Sequence, residues 1–193
     1  MKPVSGIILA GGKSARMGID KADLVLSGRT FLEIQTEKMK KVGVTDIMVS
    51  GWCRPLPDVR YVEDMSAGVG PLGGLQACFA AAACEDCLVL SVDVPLIPIS
   101  VLTSLLEAHF TGSEAVTLLS GEGGIEPLIG VYRTDLLSEV AEVLESGKRS
   151  VRALLDRTGW QTVPYRGDPA LLLNCNTPED YETLRRLAGG MGK

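Results

Sequence analysis

Short apolar runs alternate with amphipathic stretches along the chain, and the two periods predict strands and helices in turn. Val4–Ala10 is a short apolar run ending in glycines, which reads as a buried strand. Thr30–Val42 places Phe31, Leu32, Ile34, Met39 and Val42 at helical spacing, gathers lysines at its end and is followed by Gly43, all helix features. Asp46–Ser50 reads as a strand and Arg60–Val62 as a short one. Pro71 opens a helix through Leu75, Ala77, Cys78 and Ala80–Ala83, at a first-turn position where proline is tolerated. Leu88–Val92 is a further strand, Ser100 caps a helix to about Phe110, and Ala115–Leu119 and Pro127–Tyr132 are strands. Asp135–Leu144, Val151–Asp156 and Pro178–Leu187 read as helical, Gln161–Tyr165 and Leu171–Leu173 as extended, and Gly189–Lys193 as a frayed, flexible tail.

This alternation predicts an α/β sandwich around a mainly parallel, mixed sheet, built as a single domain over residues 1–188. Ligands of such sheets collect at the carboxyl ends of the strands, so function is sought after Ala10, Ser50, Val62 and Val92. Composition narrows the chemistry. With 46% hydrophobic and 22% charged residues, the 193-residue chain can bury a core and is not disordered. A net charge of −5 argues against nucleic acid or an anionic membrane as partner. No apolar run reaches a membrane span, and Lys13 and Arg16 stand where a signal peptide would need its cleavage site, so a cytoplasmic location is expected. The one histidine, His109, disfavours most zinc enzymes and makes any histidine-dependent hydrolase rest on that residue. His109 is expected to pack or cap at its helix end. The five cysteines include Cys84 and Cys87, expected as buried thiols flanking a turn, because no second ligand pair accompanies them.

Glycine is the outlier, with 22 residues. Leu9-Ala10-Gly11-Gly12-Lys13-Ser14-Ala15-Arg16-Met17-Gly18 resembles a P-loop at Gly12-Lys13-Ser14, but Ile7 occupies the position of the leading glycine. It keeps the parts of a phosphate cradle: a glycine pair after a strand, and the cations Lys13, Arg16 and Lys21. Gly68-Val69-Gly70-Pro71-Leu72-Gly73 is a literal GxGxxG, with Asp93 20 residues beyond Gly73, which keeps open an NAD(P)- or FAD-dependent oxidoreductase. Against that reading, Glu63–Ala67 separate the motif from the preceding strand, and the first glycine loop would have no task. Asp93-Val94-Pro95 presents a carboxylate at a strand end, suited to Mg²⁺ beside phosphates, with Asp64 and Glu126 as further carboxylate positions.

The order of these motifs resembles the MobA-like nucleotidyltransferases. LAGGKSARMG-IDKA at 9–22, GPLGG at 70–74, DVP at 93–95, EPLIGVY at 126–132, GKRSVRALL at 147–155 and NCNTPEDY at 174–181 together resemble the molybdenum cofactor guanylyltransferase branch. The resemblance spans Val4 to about Leu187. It implies a three-layer, Rossmann-like nucleotidyltransferase fold with a nucleotide-binding and an acceptor-binding half. It implies GTP and Mg²⁺ as reactants and the terminal phosphate of molybdopterin, or of the molybdenum cofactor, as acceptor. Nucleotide contacts would come from Leu9, Ala10, Gly11, Gly12, Lys13, Lys21, Ser50, Asp64, Gly70 and Asp93, with Asp93 also binding the metal. Ser50 departs from the family's usual asparagine and offers one donor where an amide has two.

The implied reaction is attack of the acceptor phosphate on the α-phosphorus of GTP, with pyrophosphate leaving. Arg16, Lys21 and Asp93 are the expected catalytic residues, because a phosphate nucleophile is already ionised and catalysis reduces to positioning and charge neutralisation. Lys148, Arg149 and Arg152 surround a predicted helix start and would hold an anionic acceptor. Asn174 and Asn176, if on a strand, would face the same side and reach pterin or a metal-bound phosphate. Backbone reading of the base leaves CTP as the alternative nucleotide. Molybdenum cofactor delivery and molybdoenzyme maturation proteins are the partners the resemblance implies.

Overall fold

The computed structural model describes residues 2–11, 20–51, 54, 56–64, 69–121 and 124–191. Gly12, Lys13, Arg16, Trp52, Cys53 and Gly68 therefore lie outside the described residues. The strands are β1 (Ser5–Leu9), β2 (Val25–Leu26), β3 (Arg29–Thr30), β4 (Asp46–Ser50), β5 (Arg60–Val62), β6 (Asp86–Ser91), β7 (Val116–Gly121), β8 (Gly124–Arg133) and β9 (Trp160–Pro164). The α-helices are α1 (Phe31–Lys41), α2 (Pro71–Ala81), α3 (Ile99–Thr111), α4 (Leu137–Glu145), α5 (Val151–Leu155) and α6 (Pro178–Met191).

Seven strands form one mixed sheet in the order β5-β4-β1-β6-β8-β7-β9. β8 runs against both of its neighbours, β6 and β7, while the other pairs are parallel. Alternation along the strands divides the core into two layers. Ile8, Leu88 and Leu90 pack with α1, α3 and α6, whereas Ile7, Leu9 and Val89 pack with α2, α4 and α5. The result is the three-layer sandwich expected. The chain leaves β1 towards β4 and later returns to β1's other side as β6, so the crevice where the strand order reverses opens beyond Leu9 and Ser91.

Local chemistry explains the element ends. Thr30 and Glu33 form a reciprocal capping box that starts α1. Ser27 and Gly28 both have positive φ and turn the β2–β3 hairpin, which the apolar pattern did not predict because each strand is only two residues long. α3 begins at Ile99 rather than at a Ser100 cap: the Pro98 carbonyl already accepts from Val101 N, 3.1 Å away, and Ser100 sits inside the helix. Residues 169–172 form a 3₁₀ turn where an extended segment was expected, because Asp168 caps Ala170 N at 2.9 Å and Pro169 fixes the first position. α6 continues through Gly189 and Gly190 to Met191, beyond the end expected near Leu187.

Candidate active site

The carboxyl end of β1 is bound on both sides by backbone: Ala10 N donates to Ser50 O (2.9 Å) and Val92 N to Leu9 O (3.0 Å). Leu9 and Ala10 are buried, and Gly11 reaches the surface. Gly51 has φ +80, and a side chain there would run into the Gly11 backbone, so the loops after β1 and β4 meet through glycines.

Lys21 opens a 3₁₀ turn whose start is capped by Asp20, through Ala22 N donating to Asp20 Oδ1 at 3.1 Å. Its Nζ lies 2.8 Å from Asp93 Oδ2 and 2.7 Å from Asn176 Oδ1, which joins three segments distant in sequence. Ser91 Oγ donates to the other Asp93 oxygen at 2.6 Å, and Asp93 O accepts from Cys175 N at 2.9 Å. The Lys21 and Asp93 side chains keep 15% and 16% of their surface, enough to meet a ligand from the cleft. Glu126, near the start of the reversed strand β8, is the second acid here. Burial, and then the charge of Asp93, push its carboxyl above the usual range. Asp93 and Glu126 bring two carboxyl groups within each other's field at this end of the sheet, a donor set that suits a hard divalent cation. Among the described residues no cluster of three metal-ligating side chains exists. Mg²⁺ takes one or two protein carboxylates and completes its shell with phosphates and water, and Asp93 is a carboxylate of that kind.

Ser50 is buried, and its hydroxyl donates to Asp64 Oδ1 at 2.5 Å. Gly74 lies directly over it; a Cβ on Gly74 would fall 2.5 Å from Ser50 Oγ. In this chain the serine therefore orients Asp64, which stands after β5.

Of the residues expected to hold an acceptor, two line one cavity. Val69, Gly70 and Pro71 face Pro127, Leu128 and residues 149–152 across a cavity of about 620 Å³. Arg149 and Arg152 line this cavity, while Lys148 is exposed beside it. Asn174 and Asn176 do not lie on a strand, so the same-side argument for them fails. They belong to the irregular segment 173–176, where Asn176, not Asn174, reaches Lys21. Thr177 and Asp180 cap the start of α6: N–H groups of Asn176 and Thr177 donate to Asp180 at 2.9 and 2.8 Å and, with the Thr177 hydroxyl, hold its carboxyl below the usual range.

Two groups outside the sequence reading belong here. Gln35 on α1 has no exposed surface and donates to Ser91 O and Val94 O, each at 3.0 Å. Lys38 donates to Pro95 O at 2.5 Å, and burial pulls its ammonium down to about 7. The signal for Gln35 was present: it is a polar residue midway between Phe31 and Met39 on the apolar stripe of α1.

Other candidates fall away from the site. His109 is buried, with Nε2 2.9 Å from Asp86 Oδ1 and Nδ1 3.1 Å from Thr117 Oγ1. Asp86 begins β6 and Asp93 follows its end, so His109 lies roughly 20 Å from Asp93 along the strand. Cys78, Cys84, Cys87 and Cys175 are free; Cys87 is buried as expected, but Cys84 is only half-buried. Burial drives the Cys78 thiol up to about 12 and that of Cys175 up to about 11, which disfavours thiolate chemistry at both.

Residues 6–163 match the profile of the MobA-like NTP transferase domain. The chain belongs to that family. The oxidoreductase alternative is thereby overturned, and the physical reasons agree. Residues 63–70 separate β5 from α2, and Asp93 is engaged by Lys21 rather than set to hold a ribose. A molybdenum cofactor guanylyltransferase from Xanthomonas euvesicatoria is 34% identical over 189 residues, covering 95% of each chain. A protein of Opitutus terrae named "Probable molybdenum cofactor guanylyltransferase" is 34% identical over 194 residues, again covering 95% of each. In fold, the chain is similar to the crystal structure of molybdopterin-guanine dinucleotide biosynthesis protein A from Archaeoglobus fulgidus. That likeness has a TM-score of 0.82 at 21% identity and covers 97% of this chain and 100% of the other. The chain is thus an enzyme, a nucleotidyltransferase with a Rossmann-like three-layer fold. Among its described residues no helix is long and apolar enough to cross a membrane.

Proposed function

We propose that this enzyme transfers GMP from GTP to the terminal phosphate of molybdopterin or the molybdenum cofactor, releasing pyrophosphate. The observation that carries the reading is the Lys21–Asp93–Asn176 junction at the carboxyl ends of β1 and β6. It joins an ammonium, a carboxylate and an amide from three chain segments. The names of the relatives support transfer of a guanylyl group to the molybdenum cofactor.

In this reading the N-terminal half binds the nucleotide, through Leu9, Ala10, Gly11, Gly12, Lys13, Ser50, Asp64 and Gly70. The C-terminal half takes the acceptor, with Arg149 and Arg152 on its phosphate, Lys148 alongside, and Asn174 within reach of the pterin. The acceptor phosphate has a second pKa of about 6, so it arrives as an anion and needs no general base. Lys21 and Arg16 neutralise the triphosphate as charge moves onto the leaving pyrophosphate. Asp93 holds Mg²⁺, with Glu126 adding negative charge beside it; the bound cation polarises phosphoryl oxygens and offsets their charge. Asn176 keeps Lys21 aimed at the phosphates. A cytoplasmic setting and hand-over of the product to molybdenum cofactor delivery and maturation proteins complete the reading.

A thermal-shift series with GTP, CTP and NAD in Mg²⁺, followed by chromatography of the product formed on molybdopterin, tests it. Stabilisation by GTP and formation of a guanine dinucleotide are expected. CTP preferred over GTP would overturn the base assignment, and stabilisation by NAD alone would overturn the reading.

A further inference from the structure

Beyond Ser91 the chain leaves β6 and runs as an irregular turn through Asp93 to Pro95; Ser91 Oγ and Lys21 Nζ each hold one Asp93 carboxylate oxygen, and the direction they can give it depends on how the backbone of the turn is held. Besides Val92 N on Leu9 O and Cys175 N on Asp93 O, that backbone is held from α1. Gln35 Nε2 carries two hydrogens and lies 3.0 Å from Ser91 O and 3.0 Å from Val94 O, so both donors are used on carbonyls that bracket Asp93. Because both partners only accept, the nitrogen of the amide must face them. The other end of the same amide, Oε1, is buried without a partner. An unpaired buried acceptor opposes folding, and methionine or leucine would fill similar space without it. Packing therefore does not explain a glutamine at this position, whereas a clamp on the turn does. One turn further along α1, Lys38 Nζ reaches Pro95 O at 2.5 Å and holds the end of the same segment.

We propose that Gln35 is a positioning residue that sets the direction of the Asp93 carboxylate for the divalent metal and the nucleotide phosphates, with Lys38 as its companion. This rests on the reading of Asp93 as the metal ligand. Mg²⁺ demands near-octahedral geometry, so a carboxylate that is present but turned away loses metal affinity while the nucleotide's other contacts persist. Groups that orient a ligand residue in this way are worth about ten-fold or more in metal affinity.

The test measures GTP affinity by equilibrium dialysis, in Mg²⁺ and in EDTA, so that the gain due to metal is separated from nucleotide binding itself. Gln35→Met is expected to reduce that gain about ten-fold while leaving the affinity in EDTA at the wild-type value. Lys38→Met is expected to reduce it in the same direction by less. A folded Gln35→Met protein with the wild-type gain overturns the proposal; should that variant not fold, a wild-type gain in Lys38→Met does so. Asp93→Ala separates the two levels. If Asp93→Ala keeps the gain, the assignment of Asp93 itself is wrong; if it loses the gain and Gln35→Met does not, only the positioning role fails.

Discussion

At the amino end of the central sheet, Asp46 and Asp86 are each closed in by partners; at the carboxyl end, Asp93 meets Lys21 and Ser91, and Glu126 stands within the field of Asp93. Asp46 accepts from Ser5 Oγ (2.6 Å), from Arg60 Nη2 (2.7 Å) and from Ala83 N (3.1 Å). Burial alone would raise its carboxyl, but these donors outweigh burial and leave it below its ordinary value. Asp86 is held by buried His109, which also meets Thr117, and Thr117 in turn accepts from Gln161 Nε2 at 3.0 Å. Glu126 moves the other way, raised by burial and then by Asp93. Similar acids thus do opposite work. Saturated with donors, they tie strands together; at the cleft, two of them stand close enough for one to raise the other.

The difference has consequences that substitutions can separate. The largest belongs to Asp93→Ala and Lys21→Ala, each expected to lower turnover about a thousand-fold while the protein stays folded. Steady-state kinetics beside circular dichroism check this, and wild-type turnover in either variant would remove that residue from the chemistry. Next comes His109→Leu, which strands Asp86 and Thr117 without their partner. It is expected to cost about 2–4 kcal/mol of stability in urea titrations and to leave kcat at the wild-type value.

A smaller effect is expected in acid. Because the Asp46 carboxyl lies below its ordinary 3.8 in the folded state, it contributes stability above that pH and loses it as the pH falls further. Asp46→Asn should therefore be less stable than wild type near neutrality, with the gap narrowing below pH 3.8 in a series of thermal melts. A gap that stayed constant would mean that charge is not what Asp46 supplies. The smallest effect is on Glu126, whose carboxyl should titrate lower in Asp93→Asn, though still above the usual range because burial remains. Carbon-13 NMR of that carboxyl reads the change, and no movement would place the two acids out of each other's field.

Much of this arrangement was legible in the residues. Short apolar runs located β1, β4 and β6 because both faces of each strand are buried, and helical spacing located the long helices because each buries one face. The motif order identified Lys21 and Asp93, but no local pattern announces that their side chains meet across 72 positions. Asn176 was chosen for the right region and for the wrong geometry, since residues 173–176 are irregular and its amide turns to Lys21 rather than standing on a strand. Ser50 looked like a weakened nucleotide contact. Burial under Gly74 also makes it a support for Asp64, and that burial depends on how closely α2 approaches β4. Gln35 was missed because a buried amide acting on backbone carbonyls leaves no motif, only a polar residue on an apolar stripe.

The most direct measurement follows the α-phosphate of labelled GTP with molybdopterin and Mg²⁺ in wild type, Lys21→Ala and His109→Leu. Label should pass to the pterin product with equal release of pyrophosphate in wild type and in His109→Leu, and should fail to pass in Lys21→Ala. Label remaining on GTP in the wild-type enzyme, or equal transfer by Lys21→Ala, would contradict the assignment of guanylyl transfer to the carboxyl end of the sheet.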